Sequence, residues 1–464
     1  MKKHRHLFKI FIIIFSILFL IPIWSVRYVP LQDWPVFIGF SYIISHLSNF
    51  SLLSVKPIPP PYTTGFLLLA GLMRIFPPLI AGKVLLSIYI ISFFASFYYY
   101  LRILNPKGLF LYFFAPLLVF NNFFAKGNIN FILSIPLFLF IVPFFLKRLN
   151  NYRRYYLLIV FFLSLVLYFT HLFTYLVFLL IVLFVISFRK KGIPLFAVSF
   201  IPLFFFIGYF LINRAPLELS LYSSFFTKYL SFRDTFGTWT PYFDVAILAV
   251  PFLLFFFLVI SGWRKKEKEW KLILAVLFLL YLLAPMELYT LSRPDQRFLP
   301  FAFFVLLLFP ESKKGIKYIF PAFLASLSLI NFVIKERVFV TLQPRIERCI
   351  RVISSVPRDK AVVSFGTKEY YIGVINPFLH ILAYTIPLKE NIYIPTYEWN
   401  VPLFINVRLP GAKIEGGKIR NRKELLSLYD YFFVMEDGDS FERELENFTE
   451  QVILDDGIKL FKKK

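Results

Sequence analysis

The stretch 155–188, YYLLIVFFLSLVLYFTHLFTYLVFLLIVLFVISF, is an almost unbroken apolar run. Basic residues flank it on both sides, RR at 153–154 and RKK at 189–191. A membrane-crossing helix takes about 20 apolar residues, and basic loops favour the cytoplasmic side. Two basic flanks on one side require an even number of crossings, so the run predicts two antiparallel membrane helices. The turn is predicted at Thr170 and His171, the only polar break, which places His171 at the outer surface.

Apolar residues dominate the composition of the whole chain. Of its 464 residues, 58% are hydrophobic and 21% are aromatic, whereas ordinary soluble domains are about 45–50% apolar. The formal net charge is +24. Lys and Arg stand mainly in short clusters between apolar runs, which indicates topology-setting loops and not a nucleic-acid partner. A single cysteine, Cys349, excludes a disulfide framework and a cysteine-based metal site.

Eleven membrane crossings are predicted from the apolar runs and the basic clusters between them. The first is expected to stay as an anchor, because no small-residue cleavage site follows it. An odd number of crossings places the N-terminus in the cytoplasm and the C-terminus outside, in a protein of the plasma (inner) membrane. The predicted crossings lie near 10–26, 79–101, 108–122, 129–147, 155–170, 172–188, 193–212, 242–262, 272–286, 297–310 and 317–334.

Two parts of the chain are predicted to lie outside the membrane. The outer loop 27–78 mixes prolines and aromatics, and we expect short interfacial helices in it at about 36–50 and 63–76. The last part of the chain carries short strand-like runs separated by turn residues: KAVVSF, NIYIP, YDYFFVM and QVILDDGIKLFKK. The sequence therefore predicts a membrane domain, 1–335, followed by a small extracytoplasmic α/β domain, 336–464.

One carboxylate, Asp33, stands directly after the first apolar segment, in the block PLQDWPVF. A carboxylate at the membrane surface is partly desolvated, which raises its pKa toward the range of a useful general base. Such a base could take a proton from an acceptor hydroxyl. The simpler interpretation is a loop aspartate that makes a turn before Pro35.

The segment LSRPDQRF, 291–298, is predicted to begin a helix at the outer surface. Pro294 suits a first helical position. Ser292 and Asp295 are spaced like a capping box, although Asp stands where Glu or Gln is preferred.

Two arginines in this segment form a candidate phosphate clamp. Arg293 and Arg297 are four residues apart and would share a helix face. Free N–H groups at a helix N-terminus attract anions, and guanidinium groups bind phosphate with two hydrogen bonds. The alternative is that both arginines reach to the interface and pair with Asp295 or Glu287.

Further outer-face residues complete the candidate site. Trp34 adjoins the acid. Asn128 and Asn130 could bind a sugar or the outer loop, or could act as simple helix caps. His171 could bind phosphate, shuttle a proton or cap a turn. The DGD at 437–439 is interpreted as a turn and not as a metal–nucleotide motif, and no metal ligand is predicted.

Four blocks together resemble those of a known family: PLQDWPVF, FFAKGNINFILSIPL, YFTHLF and RPDQRFLPF. With a first helix followed by an acidic outer loop, many further helices and an extracytoplasmic C-terminal domain, the chain resembles the GT-C superfamily of polytopic membrane glycosyltransferases over roughly 27–335. The expected fold is mainly α: a polytopic transmembrane helical bundle of about 11 helices, GT-C-like, with a small C-terminal extracytoplasmic α/β domain.

The resemblance implies a mechanism. The donor is a sugar on polyprenyl phosphate, and the acceptor is a glycan, a lipid or a protein outside the cytoplasm. The acidic residue of the first loop, here Asp33, is the catalytic base of an inverting displacement, and Arg293 or Arg297 holds the lipid phosphate as it leaves. Many relatives carry a His a few residues after the acidic block, whereas this chain has Phe37 and Ile38 there.

Two other functions are compatible with the sequence. One is a non-catalytic scaffold in envelope polysaccharide assembly, which the missing His leaves open. The other is a flippase or transporter of lipid-linked sugars, which would require buried charge or broken helices at mid-membrane on both sides and inverted repeats. The polar groups gather on one side only, which argues against transport. Membrane lipid is an expected partner. The lipid-linked sugar donor is the one small molecule that the resemblance implies, and the sequence does not decide whether a divalent metal is required.

Overall fold

A computed structural model gives the fold of the chain. It describes residues 10, 13–50, 53–55, 61–149, 153–213, 225–285, 287–288, 291–311, 316–365, 370–393, 405–407, 429–435, 445, 448–455 and 457–464.

The described part of the chain is mainly helical, as predicted. Long apolar runs without charge form helices because each backbone hydrogen bond is satisfied within the segment, which a bilayer demands. The helices are α1 (Ile13–Trp24), α2 (Trp34–Ser45), α3 (Thr64–Met73), α4 (Pro78–Leu104), the interrupted α5 (Pro106–Ala125), α6 (Ile129–Leu146), α7 (Arg154–Thr170), α8 (Leu172–Arg189), α9 (Ile193–Phe200), α10 (Pro202–Asn213), α11 (Phe225–Phe236), α12 (Pro241–Trp263), α13 (Lys268–Leu283), α14 (Phe298–Leu306), α15 (Ile316–Ser354) and α16 (Thr385–Lys389). Two 3₁₀ helices lie at Leu47–Asn49 and Ile381–Tyr384.

Six helices of the described residues are long and apolar enough to cross a membrane: Pro78–Leu104, Pro106–Ala125, Ile129–Leu146, Leu172–Arg189, Pro241–Ile260 and Tyr318–Ser354. The predicted count of eleven is therefore not confirmed. The shortest predicted crossing, 297–310, shows why. The helix found there, α14, has 9 residues and spans only about 14 Å of a hydrocarbon core about 30 Å thick.

The break predicted within 155–188 is confirmed, although only the second of the two helices, Leu172–Arg189, is among the six that are long enough to cross a membrane. Helix α7 ends at Thr170, α8 begins at Leu172, and His171 alone separates them.

The loops predicted to lie on the cytoplasmic side meet at one end of the bundle. Glu311 pairs with Lys107 at 3.3 Å and with Lys265 at 3.2 Å. Arg189 pairs with Glu269 at 3.0 Å. Four basic clusters that are far apart in sequence are thus joined through two carboxylates. This convergence agrees with the predicted alternation of loops, whereas the side of the membrane on which they lie stays a prediction.

A five-stranded mixed sheet forms the C-terminal part of the chain. Its strands are β4 (Ala361–Phe365), β5 (Ile392–Tyr393), β7 (Tyr431–Met435), β8 (Thr449–Asp455) and β9 (Ile458–Lys463), in the order β5-β4-β7-β9-β8. Strand β4 is parallel to β5 and β7, and β9 is antiparallel to β7 and β8. All four predicted strand-like runs contain these strands. Every residue of the central strand β7 is buried, as expected for a strand covered on both faces.

The outer loop and the C-terminal part of the chain pack together. Strand β1 (Leu53–Val55) pairs antiparallel with β6 (Ile405–Val407), while β2 (Glu287–Leu288) pairs with β3 (Leu291–Ser292). Gly39 on α2 leaves no room for a side chain, because an added Cβ would lie 2.7 Å from the Ile386 side chain.

Helix α15 runs without interruption across the predicted boundary at residue 335, so the two predicted domains share one helix. The predicted outer helices are present as α2 and α3.

Candidate functional site

The Asp33 loop is held against the end of α5 by backbone hydrogen bonds. The N–H of Gln32 donates to the carbonyl of Ala125 (3.1 Å), and the N–H of Asp33 donates to that of Lys126 (3.0 Å). Gly127 follows with φ of +75°, and an added Cβ there would lie 2.9 Å from the Trp34 nitrogen. Only glycine combines that conformation with so close an approach. The side chain of Asp33 is 36% exposed, so it remains accessible to solvent.

A histidine from the C-terminal part of the chain faces Asp33. The Nε2 atom of His380 lies 3.8 Å from Asp33 Oδ1. His380 is 4% exposed, and burial lowers its pKa from 6.5 to about 4. The imidazole is therefore uncharged at neutral pH, and at 3.8 Å the contact is longer than a hydrogen bond. The segment is fixed beside the loop because the N–H of Asn376 donates to Gln32 Oε1 (3.2 Å).

The buried His380 predicts a loss of stability in acid. Below pH 6.5 the unfolded chain binds a proton at this histidine, whereas the folded chain does not until about pH 4. The free energy of unfolding should therefore fall as the pH drops from 6.5 to 4, by roughly 3 kcal/mol from this residue. Denaturant unfolding of the detergent-solubilised protein across this range measures the slope. His380→Gln should reduce the slope, and an unchanged slope in that variant would contradict the prediction.

Lys126 lies within electrostatic range of several other charged side chains. Its ammonium is partly buried and has no hydrogen bond or ion pair with any residue that the structure describes. Burial is the main cause of its lowered pKa, and Arg293 and Arg297 lower it further, while the carboxylates of Asp33 and Asp234 oppose this effect. The four charged side chains are thus within electrostatic range of one ammonium. Asp234 is held by Arg233 at 2.7 Å.

Arg297 is held in place by His171. Its Nη1 lies 2.7 Å from His171 Nε2. Because a guanidinium only donates hydrogen bonds, Nε2 must accept, and the ring proton is on Nδ1. Nδ1 lies 3.1 Å from the Thr174 hydroxyl and 3.3 Å from the Thr174 nitrogen, and with its proton in place it donates to the hydroxyl and cannot accept from the N–H. The Thr174 hydroxyl lies 2.7 Å from Ser134 Oγ, which donates to the Phe131 carbonyl (2.6 Å). Burial, followed by the charge of Arg297, keeps the pKa of His171 well below its usual range. His171 therefore positions Arg297 and is not itself charged.

The predicted helix start at Pro294 is wrong. Residues 294–297 form a turn with i-to-i+3 hydrogen bonds, and α14 begins at Phe298 with Arg297 as its N-cap. Asp295 cannot complete a capping box, because its fully buried carboxylate accepts hydrogen bonds from Ser231 (2.7 Å) and Lys228 (3.2 Å).

Arg293 is consequently outside the helix and does not share a face with Arg297. It has a left-handed φ of +55°, and such strain in a non-glycine residue is often found at functional sites. Its Nε lies 3.4 Å from Asp295 Oδ1, so the ion pair considered as the alternative is present. Its Nη2 is buried and has no hydrogen-bond partner among the described residues. One end of the guanidinium is thus bound, and the other is a buried donor without a partner among the described residues.

Two predicted site residues have structural contacts instead. Trp34 is 1% exposed, stacks on Phe37 and fills the space over Gly82, so it has no surface for a substrate. Asn130 accepts a hydrogen bond from the Gly65 N–H (2.9 Å) and donates to the Tyr62 carbonyl (2.7 Å). It binds the outer loop, which was one of its three predicted roles.

Asn128 differs from its neighbour. It is the N-cap residue of α6, but its side chain caps no described backbone group. The amide is partly exposed and remains available to a ligand.

The sequence predictions did not assign a site role to Lys126, Asp234 or His380. Lys126 had one local signal, because it directly precedes a glycine in the block that also contains Asn128. His380 had none. Among the described residues no three His, Cys, Asp or Glu side chains gather into a group that could hold a metal ion, and the DGD at 437–439 lies outside the described residues.

Comparison of the chain with protein-family models, with curated proteins and with solved structures found no match.

Proposed function

We propose that this chain is an integral membrane glycosyltransferase that moves a sugar from a polyprenyl-phosphate donor to an acceptor hydroxyl outside the cytoplasm. One observation carries the proposal: an accessible carboxylate, Asp33, and two guanidinium groups, Arg293 and Arg297, are all within electrostatic range of the Lys126 ammonium. A base and a set of phosphate-binding cations are the two elements that displacement at a sugar phosphate requires.

The proposed step assigns a role to each group. Asp33 takes the proton of the acceptor hydroxyl, and the oxygen attacks the anomeric carbon from the face opposite the phosphate. The bond between this carbon and the phosphate oxygen breaks, and the phosphate leaves with the bonding electrons. Lys126, Arg293 and Arg297 stabilise the charge that develops on it. Direct displacement inverts the anomeric configuration.

The surroundings of the charged groups support this assignment. Arg297 is fixed through His171, so little reorganisation is needed when charge develops on the phosphate. Arg293 has a buried N–H group that no described residue binds. His380 lies beside Asp33, whereas the resemblance implies a histidine a few residues after the acid in the first loop.

The test uses the purified chain in lipid vesicles with polyprenyl-phosphate sugars that carry a labelled sugar. We expect acceptor-dependent release of free polyprenyl phosphate together with a labelled, inverted product. Lys126→Gln should lower the turnover about 100-fold, as for other removed charge-stabilising donors. Lys107→Gln, in which the lost charge is 71% exposed at the opposite end of the bundle, is the matched control and should change nothing.

Two results would count against the proposal. No release with any sugar would favour the scaffold, which needs no chemistry. Equal turnover in Lys126→Gln and Lys107→Gln would remove this charge cluster from the mechanism. No described contact favours the flippase.

A further inference from the structure

A cavity lies at the N-terminal end of α4, between this helix, the loop that follows α1, and the short helix α16. Its volume is about 320 Å³. The lining is largely apolar and includes Pro77, Leu79 and Ile80 from the start of α4 and Leu388 from α16. Hydrocarbon fits such a lining, because an apolar wall gains nothing from bound water.

One buried cation interrupts the apolar lining. Lys83, in the second turn of α4, is 8% exposed. Its ammonium donates a hydrogen bond to the Val26 carbonyl and lies 5.5 Å from the centre of the Trp24 ring. No carboxylate among the residues that the structure describes pairs with it. A buried charge without a counter-charge is costly, so an anion inside the cavity would remove that cost.

A second, more polar cavity of about 380 Å³ continues from the first, and the two share Arg27, Tyr28 and Leu388. Arg27 is exposed, and Arg351 lines the second cavity. Glu347 also lines the second cavity, so its two guanidinium groups leave an excess of one positive charge there. A ligand with an apolar part and an anionic head would therefore find hydrocarbon walls on one side and a net positive lining on the other.

We infer that this pair of cavities binds an anionic phospholipid of the surrounding bilayer, with its phosphodiester at Lys83 and Arg27 and part of an acyl chain against the start of α4. Charge complementarity selects the class. Of the two cations only Lys83 is buried, whereas Arg27 is exposed to solvent and needs no counter-charge. One buried ammonium balances the single charge of a phosphodiester, whereas a phosphomonoester carries about −1.5 to −2 at neutral pH. The outer face of α4 is open to lipid, since Ile88 and Ile91 are 47% and 50% exposed. This inference is independent of the proposed transferase activity.

The bound lipid would join two parts of the chain. Lys83 and the first turn of α4 belong to the membrane bundle, whereas Leu388 belongs to the segment that carries His380. A phospholipid in the cavity would thus hold the C-terminal segment against the bundle.

Native mass spectrometry of the full chain, titrated with phosphatidylglycerol or phosphatidylcholine in detergent, tests the inference. We expect wild-type protein to retain phosphatidylglycerol in preference to phosphatidylcholine. Lys83→Met should weaken phosphatidylglycerol binding about tenfold or more, since a hydrogen bond to a charged group is lost. Leu388→Trp, which fills the apolar part from a side chain that is 39% exposed, should have a similar effect without changing the charge. Lys107→Met is the control for loss of a charge.

Thermal unfolding provides a second measurement. Phosphatidylglycerol should raise the unfolding temperature of wild-type protein but not that of Lys83→Met. In phosphatidylcholine the variant should unfold at a higher temperature than wild type, because it lacks the buried charge. Unchanged phosphatidylglycerol affinity in both Lys83→Met and Leu388→Trp would overturn the inference. So would displacement of the phospholipid by an equal concentration of polyprenyl phosphate, because the site would then belong to a phosphomonoester lipid.

Discussion

Replacing Asp33 with asparagine is expected to lower sugar transfer by about 10²–10⁴-fold, the usual contribution of a general base. The amide has the same shape but cannot take the acceptor proton. The backbone hydrogen bond from Asp33 to the Lys126 carbonyl does not involve the side chain, so the loop should keep its place. Transfer of labelled sugar by the variant, at saturating donor, gives the effect on kcat.

The matched control is Asp234→Asn. Asp234 is the other carboxylate that acts on the Lys126 ammonium, but it pairs with Arg233 at 2.7 Å. Asp234→Asn removes one negative charge near Lys126, as Asp33→Asn does, but it removes no proposed base. A much smaller loss of sugar transfer is therefore expected in Asp234→Asn. If Asp33→Asn transferred sugar as fast as wild type, no base would be at work at this position, and the scaffold would become the better hypothesis. Retention of donor binding by both variants would show that the loss lies in the chemical step.

Removing Lys335 is expected to destabilise the fold by about 3–5 kcal/mol, as for other broken buried ion pairs. Lys335 on α15 is 1% exposed and pairs with Asp244 at the start of α12. Its ammonium also donates to the hydroxyls of Thr238 and Thr240. In Lys335→Met the Asp244 carboxylate would remain buried with its Thr238 hydrogen bonds (2.7 Å) but without a cation. Detergent-based chemical unfolding measures the loss.

A double-mutant cycle separates the ion pair from simple packing. Asp244→Asn in the Lys335→Met background removes the uncompensated charge and should restore about 2 kcal/mol or more. The surface pair of Lys462 with Glu450, 3.5 Å apart and about half exposed, is the comparison, and its disruption should cost about 0–1 kcal/mol. An equal effect at the buried and the surface pair would mean that Lys335 contributes little beyond its volume.

Local sequence patterns predicted the helices and strands well where the apolar pattern alone decides the structure. The helix break at His171 followed from the two basic flanks and the polar residues between them, and the strands of the C-terminal sheet followed from short apolar runs between turns. The helix at 291–298 was displaced because Asp295 has a stronger partner in Lys228 than in the backbone. Competition of that kind depends on a residue far away in sequence, so no local motif reveals it.

The candidate site was predicted only in part for the same reason. Asp33, Arg293, Arg297 and His171 lie in apolar surroundings where isolated polar residues stand out. His380 approaches Asp33 from the far end of the chain, and only the packing of the C-terminal segment on α2 brings it there. Trp34 was predicted to bind substrate from its proximity to the acid, but the helical geometry after Pro35 turns its ring into the core.

The contact between Gln32 and Asn376 spans 344 residues of chain, and this has a consequence for biosynthesis. A ribosome adds about 5–20 residues per second, so the first outer loop is delivered to the membrane some tens of seconds before its partner segment is made. During that interval the loop and its acid are incomplete, and their apolar surface is open to insertion factors and proteases. A nascent chain therefore cannot complete the folded contacts of this loop until the segment around Asn376 has been made, so the order of synthesis itself delays the assembly of the candidate site.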